Sequence, residues 1–358
     1  MKIAYVINSM GSGGAERLIL DLCKEYGKKG LYPDVITLTD RDDVYTPELL
    51  VLGIRVINLS HRTSLYSPFF LAALVNVLSS YDIVHVHLFP AQYWVAMAGR
   101  LLPNLKIVVT EHSTFNERRK GSFFWIERTV YSRYQKIVCI SQQVLFASVN
   151  WLPFFKEKFT LIHNGIDIDR FRRTVRISRR TLEWTDSDII VVMLARLTPE
   201  KDHETLLRAI SLLPKDYKLL LLGEGTTKEL LATRCKELGI QRQVSFLGFR
   251  SDAPEILKTC DVSVLSTNWE GFGLVAIESM AAGVPFIGSD IPVLREVAGE
   301  AGIFFEKGNP EDLACKIRKV CTDQRFRAQY LEKSDQQCER FSIQKTAEKH
   351  LELYHKLT

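Results

Sequence analysis

The chain of 358 residues is too long for one ordinary hydrophobic core and suits two domains. Its 46% hydrophobic and 25% charged residues exclude disordered and collagen-like classes, and its net charge of +5 is only a mild basic excess. No apolar run approaches the roughly 18 residues of a spanning helix, and the apolar stretch in MKIAYVINSM is too short for a signal-peptide core. Seven cysteines, none in C-x-x-C spacing, read as reduced thiols of a cytoplasmic protein, not as a disulfide framework or structural zinc site.

In chain order, Ile3–Ile7 reads as a strand that ends at Asn8 and the turn Gly11-Ser12-Gly13-Gly14. A helix follows, with Ala15, Leu18, Ile19, Leu22, Cys23 and Tyr26 at helical spacing and Gly27 and Gly30 at its end. Further strands are predicted at Asp34–Leu38, Val56–Leu59, Ile83–His87, Lys106–Thr110 and Lys136–Ile140, with helices between most of them. The pattern then restarts with strands at Ile189–Leu194, Lys218–Leu222, Val244–Leu247, Val262–Leu265 and Pro285–Gly288. Helices are predicted at Glu204–Leu213, Lys228–Leu238 and Leu274–Ala281. Such alternation implies parallel sheets covered on both faces. The fold class is therefore α/β, with two Rossmann-like domains expected to face an interdomain cleft. The expected division is 1–168 with 342–358 for the first domain and 169–341 for the second; the last helix, about Ser342–Lys356, has no strand partner and is predicted to return to the first half.

Two basic clusters stand out. Phe115–Lys136 holds six Lys or Arg against two Glu, around Phe123-Phe124-Trp125, and Arg170–Arg180 holds six Arg and no acid. Both suit an anionic surface such as membrane, phosphate or nucleic acid, or simply a solvated face.

The segment with the most chemistry is Trp269-Glu270-Gly271-Phe272-Gly273-Leu274-Val275-Ala276-Ile277-Glu278, between a predicted strand and a predicted helix. Its glycines let backbone approach a ligand, and the helix start offers N–H groups and a positive dipole end to a phosphate. Glu270 and Glu278 flank that anion site, and carboxylates accept hydrogen bonds from sugar hydroxyl pairs. The plain alternative is a helix-start glycine turn with two surface glutamates. Arg196 and Lys201, just past a strand end, are two cations able to neutralise a diphosphate without a metal.

This segment resembles the glutamate–seven residues–glutamate motif of the GT4 family of retaining glycosyltransferases with the GT-B fold. Other segments resemble that family in order along the chain: Gly13-Gly14-Ala15-Glu16, Thr110-Glu111-His112-Ser113, Asn164-Gly165-Ile166-Asp167, Ala195-Arg196-Leu197 with Lys201, Val244–Phe249 and Ala282-Gly283-Val284-Pro285. Ala195 and His163 replace the family's usual Gly and Pro. The resemblance implies that Glu278 binds the donor ribose, Glu270 a hydroxyl of the transferred sugar, and Arg196 and Lys201 the diphosphate. It further implies that the backbone N–H groups of Phe272, Gly273 and Leu274 meet the sugar and phosphates and that Gly14 approaches the diphosphate. His112 is expected to bind the donor sugar and support charge at the reacting centre. Phe249 is a candidate beside the base, or core.

His85 and His87 alternate on one strand and share a face. His85 is read as structural and His87 as acceptor-side, with no third ligand for a metal. Glu16 is likewise read as acceptor-side, or as a plain first-turn glutamate. The Asp167-Ile168-Asp169 match to a metal-binding signature is read as accidental. Taken together, these readings predict a metal-independent hexosyltransferase with no cofactor, using a nucleotide-sugar donor, expected to be a UDP-sugar. Its acceptor is expected to be lipid-linked or an oligosaccharide, in O-antigen, capsule or other polysaccharide biosynthesis. The predicted location is cytoplasmic and peripheral on the inner face of the plasma membrane. Two alternatives fit less well: a Rossmann-type sugar-nucleotide oxidoreductase or epimerase, and a non-catalytic nucleic-acid-binding protein. The first lacks G-x-G-x-x-G in register, and the second lacks a recognition helix or aromatic sheet motif.

Overall fold

Near-continuous apolar strands need cover on both faces, and the computed structural model gives each half of the chain its own covered parallel sheet. It describes residues 1–116 and 118–358. The chain divides into two units, 1–166 with 343–358 and 167–342.

The first unit holds a seven-stranded sheet of β1 (Ile3–Ile7), β2 (Asp34–Thr37), β3 (Val56–Asn58), β4 (Ile83–His87), β5 (Lys106–Glu111), β6 (Lys136–Cys139) and β7 (Phe159–Leu161). Its order is β3-β2-β1-β4-β5-β6-β7, and every pair is parallel. Alternation along β1 sends Ala4 and Val6 into one core and Tyr5 and Ile7 into the core on the other face. The C-terminal helix Ile343–His355 packs on that second face through Ile343, Ala347 and Tyr354, against the helix Gly14–Gly27. Its start is anchored by the Ile343 N–H donating to Ile166 O at 2.9 Å and by Thr346 Oγ1 donating to His163 O at 3.0 Å.

The second unit holds β8 (Ile189–Leu194), β9 (Tyr217–Leu222), β10 (Val244–Gly248), β11 (Val262–Leu265), β12 (Phe286–Ser289) and β13 (Ile303–Phe305), in the order β10-β9-β8-β11-β12-β13. Here too every pair is parallel. Strands β7 and β13 are absent from the sequence reading. Each has three residues at a sheet edge, too few to show a pattern. Predicted helices recur with their ends moved by one or two residues, as at His203–Ser211 and Lys228–Glu237, while Leu274–Ala281 is observed as predicted. In each sheet the strand order reverses beside the first strand, between β1 and β4 and between β8 and β11. Open parallel sheets take their ligands at the carboxyl ends of the strands flanking such a reversal.

Candidate functional site

In the second unit, the loops after β8 and β11 are locked together. The Asn268 N–H and Thr267 Oγ1 both donate to Glu200 O, at 2.7 and 3.0 Å, and Ser266 Oγ donates to Asp202 O at 2.9 Å. This clasp brings Lys201 Nζ within 2.5 Å of Glu270 Oε1, with the two side chains only 15% and 10% exposed. Asp202 lies in the left-handed region, at φ 46°, where its carboxylate caps the next helix by accepting from Thr205 N and Oγ1. Arg196, in contrast, is 73% exposed and makes only a 3.4 Å contact with Glu200. Two cations therefore flank this clasp, one held and one reaching into solvent.

Opposite them the helix Leu274–Ala281 begins at Gly273, whose φ of 87° only glycine adopts without strain. A Cβ there would also lie 2.6 Å from Leu294 Cδ2. The Phe272 ring is buried against Phe341, centroids 5.5 Å apart, so its backbone is the part that faces the turn. Glu278 sits half-buried one turn into this helix. Phe249 follows Gly248, which is tied to Gly223 by a 2.8 Å backbone bond, and it is 45% exposed, so it is not core. Sequence reading did not single out His203, next to the Lys201 loop. Both of its ring nitrogens are buried without a partner, and burial, with the Lys201 charge adding, lowers its pKa to about 4.

In the first unit, Asn8 at the end of β1 clasps the turn after β4, with Nδ2 donating to Phe89 O at 2.8 Å and Oδ1 accepting from Ala91 N at 3.1 Å. That turn opens with Leu88 at φ 64°, a left-handed conformation that costs a leucine strain. The exposed Gly14 starts the helix at the β1 end, and the Glu16 carboxylate folds back over Gly13. His112 follows β5, with its Nε2 2.9 Å from His87 Nδ1. Burial lowers the His112 pKa to about 4 and holds His87 and His85 well below the usual histidine value. His85 has both ring nitrogens engaged, by Tyr354 OH at 2.5 Å and Thr110 Oγ1 at 2.7 Å, which is a structural role. Glu111, next to His112, points to the opposite face, where Tyr131 OH donates to it and Arg119 lies 3.9 Å away. Burial raises its pKa, opposed by the Arg119 charge.

The family profile described as glycosyl transferases group 1 matches residues 175–337, and that of glycosyltransferase family 4 matches residues 12–170. The chain belongs to these glycosyltransferases. Among its relatives, a Campylobacter jejuni N-acetylgalactosaminyltransferase acting on an N-acetylgalactosamine-N,N'-diacetylbacillosaminyl-diphospho-undecaprenol is 25% identical over 361 residues, covering 97% of each chain. The Escherichia coli O-antigen biosynthesis glycosyltransferase WclY is 24% identical over 377 residues, covering 100% of this chain and 99% of its own. The Anabaena protein HepE, solved with UDP-glucose, superposes with a TM-score of 0.87 at 22% identity, over 99% of this chain and 100% of its own. The fold is GT-B, and the activity is glycosyl transfer.

Within this glycosyltransferase the basic clusters are less available than their composition implies. Arg118 pairs with Glu127 at 3.1 Å and lies over the Phe89 ring at 4.1 Å. Arg119 donates to Thr114 O and Ser148 Oγ, Arg133 to the carbonyls of Gly99, Leu102 and Leu105, and Lys136 to Glu157 O. These groups are spent on neighbouring helices and loops instead of facing an anionic surface, and the Arg133 guanidinium satisfies three carbonyls at once. What remains outward is Lys120, Phe123, Trp125 and Ile126, with Arg128 over the Trp125 and Phe154 rings at 5.3 and 4.8 Å. In the second cluster Arg172 pairs with Asp335 and Glu339, Arg179 with Asp261 and Arg173 with Asp169. That internal pairing breaks the continuous cationic stripe a nucleic acid would need. Among the described residues, no helix is long and apolar enough to cross a membrane.

Proposed function

We propose that this glycosyltransferase moves a hexose or N-acetylhexosamine, with retention of configuration and without a metal, from a UDP-sugar to a lipid-linked or oligosaccharide acceptor. The observation that carries this reading is the Lys201–Glu270 pair, set beside Arg196 and the glycine-capped helix start at the β8/β11 reversal. UDP-glucose bound to HepE supports the donor class, and the diphospho-undecaprenol substrate of the Campylobacter relative supports the acceptor class.

In the proposed reaction the donor diphosphate takes over Lys201 from Glu270 and recruits Arg196, while Glu270 turns to sugar hydroxyls and Glu278 holds the ribose. As the bond from the anomeric carbon to the phosphate oxygen breaks, charge grows on that oxygen. The two cations and the helix N–H groups stabilise it more in the transition state than in the bound donor. The acceptor hydroxyl bonds to the anomeric carbon on the face the phosphate leaves, and its proton passes to the departing oxygen. Glu111 is not offered as a covalent nucleophile, because Tyr131 and the region of Arg119 hold it on the far face of the strand. A panel of UDP-glucose, UDP-galactose, their N-acetylated forms and GDP-mannose, read by thermal shift, tests the donor. The right donor at high excess over its Kd stabilises by about 2–4 kcal/mol, and a panel with no stabilising member refutes the reading. Turnover is expected to survive EDTA; loss in EDTA with recovery in Mn²⁺ or Mg²⁺ would remove the metal-free mechanism.

The membrane proposal moves from the arginines to the aromatics. Trp125, 66% exposed, and Phe154, 65% exposed, flank Arg128 and offer rings for the interface of a cytoplasmic leaflet, where the acceptor lipid would be presented. Trp125→Ser with Phe154→Ser should abolish co-sedimentation with anionic liposomes. Unchanged binding, or none by the native chain, refutes the docking surface.

A further inference from the structure

We infer that His87 is a positioning residue that sets the tautomer of His112, its Nδ1–H donating to His112 Nε2 so that His112 carries its own proton on Nδ1. The contact is 2.9 Å, a normal hydrogen-bond length, so one of the two rings must donate. Both rings are neutral at physiological pH, since burial holds His112 at about 4 and His87 well below its usual value. Two assignments remain. If His112 Nε2–H donated, His87 would carry its proton on Nε2, and that atom is buried with no hydrogen-bond partner. If His87 Nδ1–H donates, the orphaned atom is a bare lone pair. An orphaned buried N–H is rarer and costlier than an under-used acceptor, so the second assignment wins.

The surroundings hold His87 to this task. It is completely buried, and its ring lies 4.5 Å from that of His85, centroid to centroid. His85 is itself fastened by Thr110 on β5 and by Tyr354 on the C-terminal helix, and Tyr354 OH meets Tyr5 OH at 3.0 Å. The ring pair therefore rests on three parts of the first unit. On this proposal His87 acts through His112 and not by touching the acceptor, since it has no exposed surface of its own.

The chemical consequence rests on the glycosyl-transfer reading above. With its Nε2 lone pair occupied, His112 offers a donor, Nδ1–H, to an oxygen of the sugar or leaving phosphate. It does not offer a base at Nε2 for the acceptor hydroxyl.

Long-range ¹H–¹⁵N correlation spectra of the histidine-labelled native chain at neutral pH read the tautomers directly, with His112→Gln supplying the assignment. Both rings are expected as Nδ1–H, and His87→Leu should let His112 redistribute toward Nε2–H. His87→Asn, whose side-chain amide overlays Nδ1, should keep the native state. An Nε2–H signal for His112 in the native chain overturns the proposal, as does a His112 signal unmoved by His87→Leu. UDP release from UDP-glucose and UDP-N-acetylglucosamine gives the second readout. His87→Leu should lower kcat about tenfold, the size of one neutral hydrogen bond, with donor KM unchanged and His87→Asn restoring the rate. A tautomer that shifts while kcat holds supports the positioning and removes the role given to His112 in the reaction.

Discussion

Glu270→Gln should make the protein bind free UDP more tightly while transferring sugar more slowly. In the unliganded chain Lys201 Nζ is held 2.5 Å from Glu270 Oε1, and both side chains are at most 15% exposed. A diphosphate must draw Lys201 away from that carboxylate. Coulomb attraction between unit charges at such contact, with an effective dielectric of 20, is on the order of 4 kcal/mol. Desolvation and the ordering of two side chains offset more than half of it, leaving about 1–2 kcal/mol. Removing the charge at position 270 releases that competition, so the Kd for UDP should fall roughly five- to thirtyfold. For the full UDP-sugar the gain should shrink, because Glu270 is also the proposed acceptor of sugar hydroxyl hydrogen bonds. Isothermal titration calorimetry with UDP and with UDP-glucose measures both, and a Lys201→Met, Glu270→Gln double variant closes the cycle. The double variant should lose the gain entirely. A UDP affinity unchanged in Glu270→Gln, or weakened, would refute the claim that Lys201 exchanges the carboxylate for phosphate.

Glu278→Ala should weaken donor binding by about 1.5–3 kcal/mol, the scale of a charge-assisted hydrogen bond; calorimetry showing an unchanged donor Kd takes Glu278 out of the site. Gly273→Ala should cost more than about 1 kcal/mol in urea unfolding and also impair UDP binding, since φ is 87° and a Cβ would press on Leu294. Acid should destabilise the fold through its buried histidines. His112 and His203 are lowered by burial from 6.5 to about 4, so between those values the unfolded chain takes up protons that the folded chain refuses. Unfolding free energy should therefore be fully retained above about pH 6.5 and fall as pH drops toward about 4; His203→Leu should lessen that slope in urea melts at successive pH values.

Much of the fold was legible because its signals are local. The apolar runs at Ile3–Ile7 and Ile189–Leu194 are strands wherever they are buried, and Gly273 before an apolar helix marks a turn whose φ few other residues tolerate. The three-residue edge strands β7 and β13 escaped, since their identity comes from the neighbour that pairs with them. Composition misled at Arg118 and Arg119, which read as surface charge. Their destinations, Glu127 for the first and Ser148 for the second, are nine and 29 residues away and come near only on folding.

The same division runs through the site. By itself the sequence determined the alternating α/β plan, the strand ends that carry Arg196, His112 and Glu270, and the glycine turn before Glu278, because each depends on residues within a turn or two of itself. Tertiary structure alone decided that Lys201 meets Glu270 across 69 positions, that His87 meets His112 across 25, and that Tyr354 secures His85 across 269. Those pairings follow from which strands lie side by side in each sheet and from where the C-terminal helix docks, and no local pattern of residues encodes that proximity.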